Sequence, residues 1–512
     1  MSIPQANVYD PFAAAAAAPQ ERNPFVPIAW PWRVAILVFV LVYRVLLPGA
    51  QQLLWPGSAP LGAERMALDV LYEVVLFAPV IFYRREWGWL HPLLFPSLFA
   101  LAKAVLTAPG QLLAPLALFY PPPDTPLFHI ALEQWAQGDI ARAMIKAKLI
   151  MVLGLLSYYF GFFLAPRPRV PRVEHFPARA AAPKALLVVG LSLMLFVVFM
   201  QMRGGVGAHL ASFGLGRFRA VGGLGHFTVL ILMGTTAALV WFAVDETTTR
   251  KPLFWATAGA VIPISFLLSG SRSSVISTAV LFIIVWMIRT QKVPAARGLV
   301  MGVAAIFLVG ALGALRESTY TGTVDWTVLT DVNVAEMVAA GQEEMQNRGE
   351  SGAFVPLVAK VPARVDFLYG QSYLAAIFFF IPRAIWEGKP RGVGPMTNAY
   401  IYHDEAMRPG EIITGSGIPP GALGEAYWNF YYPGVVLIYM LHGMFNWWLA
   451  ALLRRNAAVP AVWVVYALTL LMTPTSTTIV GWLQSIIPGI AIMYWMGVLR
   501  RRPRAVLRHA AA

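Results

Sequence analysis

The residues able to do chemistry are arginines, lysines and a few carboxylates in stretches rich in glycine, serine and proline. The segment MRGGVGAHLASFGLGRFRAVGGLGH carries Arg203, His209, Arg217, Arg219 and His226 and no acidic residue. Glycines let backbone amides approach an anion while arginines bind it bidentately, so the segment suits a phosphate cradle. It equally suits a flexible loop whose arginines snorkel to lipid phosphates. In LLSGSRSSV, Arg272 sits among Ser271, Ser273 and Ser274 where a helix begins. Unpaired N–H groups and the positive end of the helix dipole make this a second anion site, or else a polar turn with one interfacial arginine.

The third segment, Arg316 to about Pro420, is too long and polar for a simple connection, and such insertions usually carry function. It holds Arg316, Arg383 and Lys389 as further cations, then His403, Asp404 and Glu411, with Glu425 just beyond. Glu425 fits a helix N-terminus, where the dipole alone would favour its charge. No Asp-x-Asp pair or histidine cluster of metal-ligand spacing occurs in these segments, so neither metal nor cofactor is expected. The chain contains no cysteine, which excludes thiolate ligands and thiol nucleophiles.

The elements that must position these groups are membrane helices. Of 512 residues, 58% are hydrophobic and only 12% charged, which is too apolar for a soluble surface. A bilayer crossing needs about 20 apolar residues. Such runs occur at 30–48, 66–83, 93–118, 147–165, 183–201, 226–244, 253–270, 273–289, 298–315, 428–452, 460–477 and 480–499. The expected class is therefore all-α: a polytopic membrane protein of about twelve transmembrane helices, nine before a long outer loop and three after it.

Lysine and arginine flanks resist translocation. Arg84 and Arg85, the group from Arg167 to Lys184, Arg250 and Lys251, Arg289 to Arg297, and Arg454 and Arg455 follow every second run. These ends are assigned to the cytoplasm, and with them both termini. The organisation expected is a disordered leader over 1–28, helices over 29–315, a large periplasmic loop over 316–427, helices over 428–499 and a basic tail over 500–512. Within the loop, YLAAIFFFIPRAIWEGKPRG is too short to cross before Pro382 stops it, and reads as re-entrant or interfacial. Topology and anionic lipid headgroups account for the net charge of +14, so nucleic acid is not an expected partner.

Charges inside spans tend to face a partner or a cavity. Arg44 in the first span can pair with Asp69 or Glu73 in the second, which lie four residues apart on one face. Lys103 and His442 have no evident partner. Trp428, Tyr431, Tyr432, Trp447 and Trp448 read as an interfacial aromatic belt.

The run FFFIPRAIWEGKPRGVG followed by GALGEAYWNFYYPGV resembles the hallmark of bacterial O-antigen polymerases of the Wzy type. LLSGSRSSVIS resembles the arginine hairpin of the same family, so the likeness spans roughly 265–450. One departure is that many members have glycine after Asn-Phe, where this chain has Tyr431 and Tyr432 before Pro433.

The resemblance implies a glycosyltransferase of the inner membrane. Such an enzyme joins undecaprenyl-diphosphate-linked oligosaccharide units on the outer face into O-antigen, capsule or exopolysaccharide. Arg272 and Arg383 would then stabilise the leaving diphosphate, with Arg203, Arg217, Arg219, Arg316 and Lys389 as further diphosphate ligands. Glu425 would be the general base, with Glu411, Asp404 and His403 as the other candidates. Expected partners are the lipid-linked donor and acceptor, membrane lipids, a chain-length regulator and a flippase. An O-antigen ligase shares this cation logic. A lipid-linked oligosaccharide flippase or other transporter shares the topology, but would spread its charges along a central path between repeated halves.

Overall fold

A computed structural model describes residues 23–54, 63–102, 137–166, 169–174, 181–215, 225–270, 272–294, 351–381, 385–390, 392–402 and 419–499, with isolated positions 311, 315 and 327. Among these residues the chain is helical throughout, with one isolated β-bridge between Pro27 and Gly88 in place of any strand.

The helices are α1 (Trp30–Val40), α2 (Leu47–Leu54), α3 (Ala63–Ile81), α4 (Gln137–Leu164), α5 (Ala181–Met202), α6 (Val206–Ala211), α7 (Gly225–Val244), α8 (Pro252–Ser269) and α9 (Arg272–Thr290). They continue with α10 (Ser351–Lys360), α11 (Gln371–Ile377), α12 (Gly421–Arg455), α13 (Pro460–Leu470) and α14 (Ser476–Met496). A π-helical stretch, Leu41–Leu46, joins α1 to α2.

Among the described residues six helical stretches are long and apolar enough to cross a bilayer: Trp30–Ala50, Arg142–Leu164, Ala181–Met202, Phe227–Val244, Gly421–Arg455 and Ser476–Met496. Helices α8, α9 and α13 are apolar but shorter, and α3 is long but carries Glu64, Arg65, Asp69 and Glu73. Eleven of the twelve expected runs thus meet a described helix, that at 93–118 only over 95–102, and among the described residues six helices, not about twelve, have the length and composition of a crossing. The run at 298–315 and most of that at 93–118 lie outside the described residues.

Several expected boundaries move. The helix expected from 428 begins at Gly421, so the last residues assigned to the outer loop are its first two turns. The run 460–477 is helical only to Leu470, because a Thr-Pro-Thr turn follows Met472. The leader assigned to 1–28 ends earlier: Phe25 is fully buried among His91, Tyr466 and Arg454, and Ile28 is buried too. An aromatic side chain that finds an apolar pocket does not stay in water. Residues 1–22 and the basic tail 500–512 lie outside the described residues.

Exposed Leu187, Leu191, Met194, Val197 and Val198 line one side of α5, a surface that suits lipid rather than water. The largest core surrounds α7 and α13, with Trp241, Phe254, Val464 and Tyr466 inside it. A second core joins α4, α10 and the start of α12 through Ile150, Phe354, Leu357, Tyr427 and Trp428. Helices α4 and α12 approach closely because Gly161 and Gly443 face the partner backbone, as small residues do in membrane bundles.

Direct contacts gather the basic loops at one end of the bundle. Arg454 reaches the Glu86 carbonyl, Asn456 bonds Val173 and Pro171, Lys184 reaches the Trp495 carbonyl and Gln291 reaches that of Pro24. Arg289 holds the carbonyls of Phe242 and Glu246 at the same end. The Asn23 amide donates to Glu86, so the first described residue also lies there. The expected alternation of basic loops therefore corresponds to a common end.

Candidate functional site

At the opposite end the start of α12 is crossed by the segment 361–377 and by the start of α14. Pro433 has no N–H to offer the Asn429 carbonyl, and its ring crowds that carbonyl, so the helix breaks just before it. The break falls at Phe430 (φ −142°, ψ 16°) and Tyr431 (φ 59°, ψ −148°). Freed by it, the Trp428 carbonyl accepts from the Leu368 amide at 3.0 Å, and the Trp428 indole donates to the Asp366 carbonyl at 3.0 Å. Trp428 is fully buried, so it belongs to the core and not to the expected interfacial belt.

Glu425 stands one turn before the break with no exposed surface. Its Oε1 accepts from the Ser372 hydroxyl at 2.5 Å and its Oε2 from the Ser476 backbone N–H at 3.0 Å. Asn429 completes the knot. Its amide nitrogen donates to Ser372 Oγ at 2.8 Å and to the Glu425 carbonyl at 2.8 Å, while its oxygen accepts from Gly370 N at 2.9 Å. The carboxylate thus sits at the N-terminus of α14, where free N–H groups and the dipole favour negative charge. Tyr373, beside Ser372, and Pro474, two residues before Ser476, line an apolar groove of about 220 Å³ that runs along Ile438, Leu441, His442 and Phe445. His442, which had no evident partner in the sequence, lines this groove and packs against Tyr158.

The glycine-rich segment and the serine-arginine hairpin come together. Beyond α5, the His209 imidazole bonds the Leu267 carbonyl at 2.7 Å, and Phe213 lies against Gly270 at the end of α8. Burial, with the Arg203 charge adding to it, pushes the imidazole below its ordinary range, although the Leu267 carbonyl opposes this. Arg203 lies with its guanidinium 6.0 Å from the Phe199 ring centroid. Arg272 is the first residue of α9, which bears out a helix beginning there. Its side chain lies outside what is described, as do Arg217, Arg219, Arg316, Arg383, His403, Asp404 and Glu411.

Lys389 is folded back on its own segment, its ammonium donating to the carbonyls of Phe379 at 3.1 Å and Ile381 at 2.9 Å. Part of its donor capacity therefore shapes the turn after α11. The Arg44–Glu73 pair forms bidentately at 2.7 and 2.6 Å, and Asp69 instead takes Lys148 at 2.8 Å and Arg65 at 3.4 Å.

Sequence reasoning missed Ser372, Asn429 and Ser476, which build the Glu425 knot, and Lys146. The Lys146 ammonium lies 5.1 Å from the Tyr427 ring centroid and 5.3 Å from that of Tyr431. A hydrophilic N-terminal half on an otherwise apolar α4 was the available signal. Among the described residues no three His, Asp or Glu side chains cluster as metal ligands. No protein family, curated protein or solved structure matches this chain.

Proposed function

We propose that this membrane protein is a glycosyltransferase that polymerises undecaprenyl-diphosphate-linked oligosaccharide units on the outer face of the inner membrane. The observation that carries this reading is the buried Glu425 carboxylate, held by groups from α11 and α14 at the end of the bundle away from the basic loops. It lies within the segment whose sequence resembles the Wzy-type polymerases. Positioned this way it is the candidate base for the acceptor hydroxyl, reached past Tyr373 and Pro474, while the apolar groove suits an isoprenoid chain. Arg203 and the hairpin at Arg272, near each other at the end of the bundle, are the candidates for the leaving diphosphate.

The test is Glu425→Gln in purified, reconstituted protein given a synthetic lipid-linked repeat unit. Glutamine can still accept from Ser476 N–H and turn its amide toward Ser372 Oγ, so the fold should persist. Polymerisation should drop by about two orders of magnitude, the range for losing a positioned base. The wild type should need no ion gradient. A fully active glutamine variant removes Glu425 from the chemistry, and gradient-dependent movement of the substrate without polymer points to a transporter.

A further inference from the structure

The membrane-facing cations of α3, α4 and the π-helical stretch differ in how they are satisfied. Arg44 has Glu73, and Arg65 and Lys148 share Asp69. Arg142 and Lys146, one turn apart on the same face of α4, have no carboxylate partner among the described residues. Lys146 is only partly exposed and rests over the faces of Tyr427 and Tyr431. Arg142 is exposed at the start of the apolar part of the helix. A lysine held at the mouth of a span without a counter-charge is costly unless an anion or water supplies one.

The aromatic seat beneath Lys146 is itself held under strain. Tyr431 adopts a left-handed φ of 59°, a conformation that favours glycine, and its ring packs on Tyr427, Tyr432 and Phe367. Tyr427 and Glu425 are two residues apart on a helix, so they project to opposite sides of α12. Lys146 therefore does not serve the Glu425 knot.

We infer that Lys146, seated against Tyr427 and Tyr431, and Arg142 one turn before it form a second site that binds the phosphate of a membrane lipid. Two cations one turn apart match the spread of charge on a phosphomonoester or diphosphate, and their place at the start of an apolar span fits an anion presented by the bilayer. The inference stands apart from the transferase reading, since it concerns binding alone.

The test is a binding titration of full-length protein in neutral phosphatidylcholine nanodiscs, using fluorescent undecaprenyl phosphate, with phosphatidylglycerol as competitor. Lys146→Gln and Arg142→Gln should each weaken binding by about tenfold, as expected for losing a charged hydrogen bond. Lys146→Arg should restore it, and Arg455→Gln at the opposite end should bind like wild type. Arg142 is exposed, so its variant tests the site even if Lys146→Gln folds poorly. Displacement by equimolar phosphatidylglycerol would assign the site to bulk anionic lipid, and resistance to it would assign the site to the isoprenoid carrier. Unchanged affinity in both glutamine variants would overturn the inference.

Discussion

Adding one methyl group where α4 meets α12 should loosen the whole bundle. A Cβ built on Gly161 would run into the Met440 carbonyl oxygen and stand 2.7 Å from the Met440 Cα, and one on Gly443 would run into the Tyr158 carbonyl oxygen and stand 2.8 Å from the Phe162 amide nitrogen. Optimal heavy-atom separation is roughly 3.5–4.0 Å, so the helices would have to part by more than about 1 Å. The obstructing atoms are backbone and cannot rotate away. Overpacking of this kind costs about 1–3 kcal/mol, and the rigid neighbours place Gly161→Ala near the upper end. The usual gain in helix propensity is small here, because a transmembrane helix stays helical when its partners separate. Gly190→Ala on α5 is the control, since nothing lies within 4 Å of its Cβ position. It should change stability by no more than about 0.5 kcal/mol. Thermal unfolding in detergent should show Gly161→Ala melting several degrees below wild type with Gly190→Ala unchanged. A Gly161→Ala variant as stable as wild type would refute the close backbone approach, and with it the geometry that carries Glu425.

Arg44→Leu should destabilise the protein by about 3–5 kcal/mol, because it leaves the buried Glu73 carboxyl without its partner, and adding Glu73→Leu should recover most of the loss. Melting temperatures of the two single variants and the double variant check this, and an additive double variant would contradict it. Burial alone would raise the pKa of Asp245, but hydrogen bonds from Lys251, Thr247 and Trp241 outweigh it and hold the carboxyl below the usual carboxylate range. Its stabilising effect is therefore present above the unfolded value near pH 4 and fades as pH falls further, so the melting-temperature gap between wild type and Asp245→Asn should shrink from pH 5 to pH 2. A gap independent of pH would mean the effect is not the charge.

How far the sequence could be read depended on whether the solvent or the fold set the constraint. Lipid imposes length and apolarity on a helix and basic flanks on its cytoplasmic end, so eleven of the runs and the gathering of Arg84, Lys184, Arg289 and Arg454 at one end were legible in the sequence. Charge pairing between neighbouring helices was legible to within two carboxylates, since Arg44 takes Glu73 and leaves Asp69 to Lys148 and Arg65. The Glu425 knot was legible only as a lone carboxylate. Its anchors Ser372 and Ser476 lie 53 and 51 positions away, and nothing periodic marks a serine that will meet a distant helix. Trp428 was misread because a tryptophan at a span's end has the same composition whether it faces headgroups or, through the Pro433 break, the Asp366 carbonyl. That break is the more instructive case. Tyr431 holds a φ of 59°, a backbone that favours glycine, at a cost on the order of 1–3 kcal/mol. A glycine at position 431 would relieve the strain and lose the ring that seats Lys146. The tyrosine therefore exchanges backbone ease for a cation seat, which is the kind of local conflict expected at a functional site and rarely elsewhere.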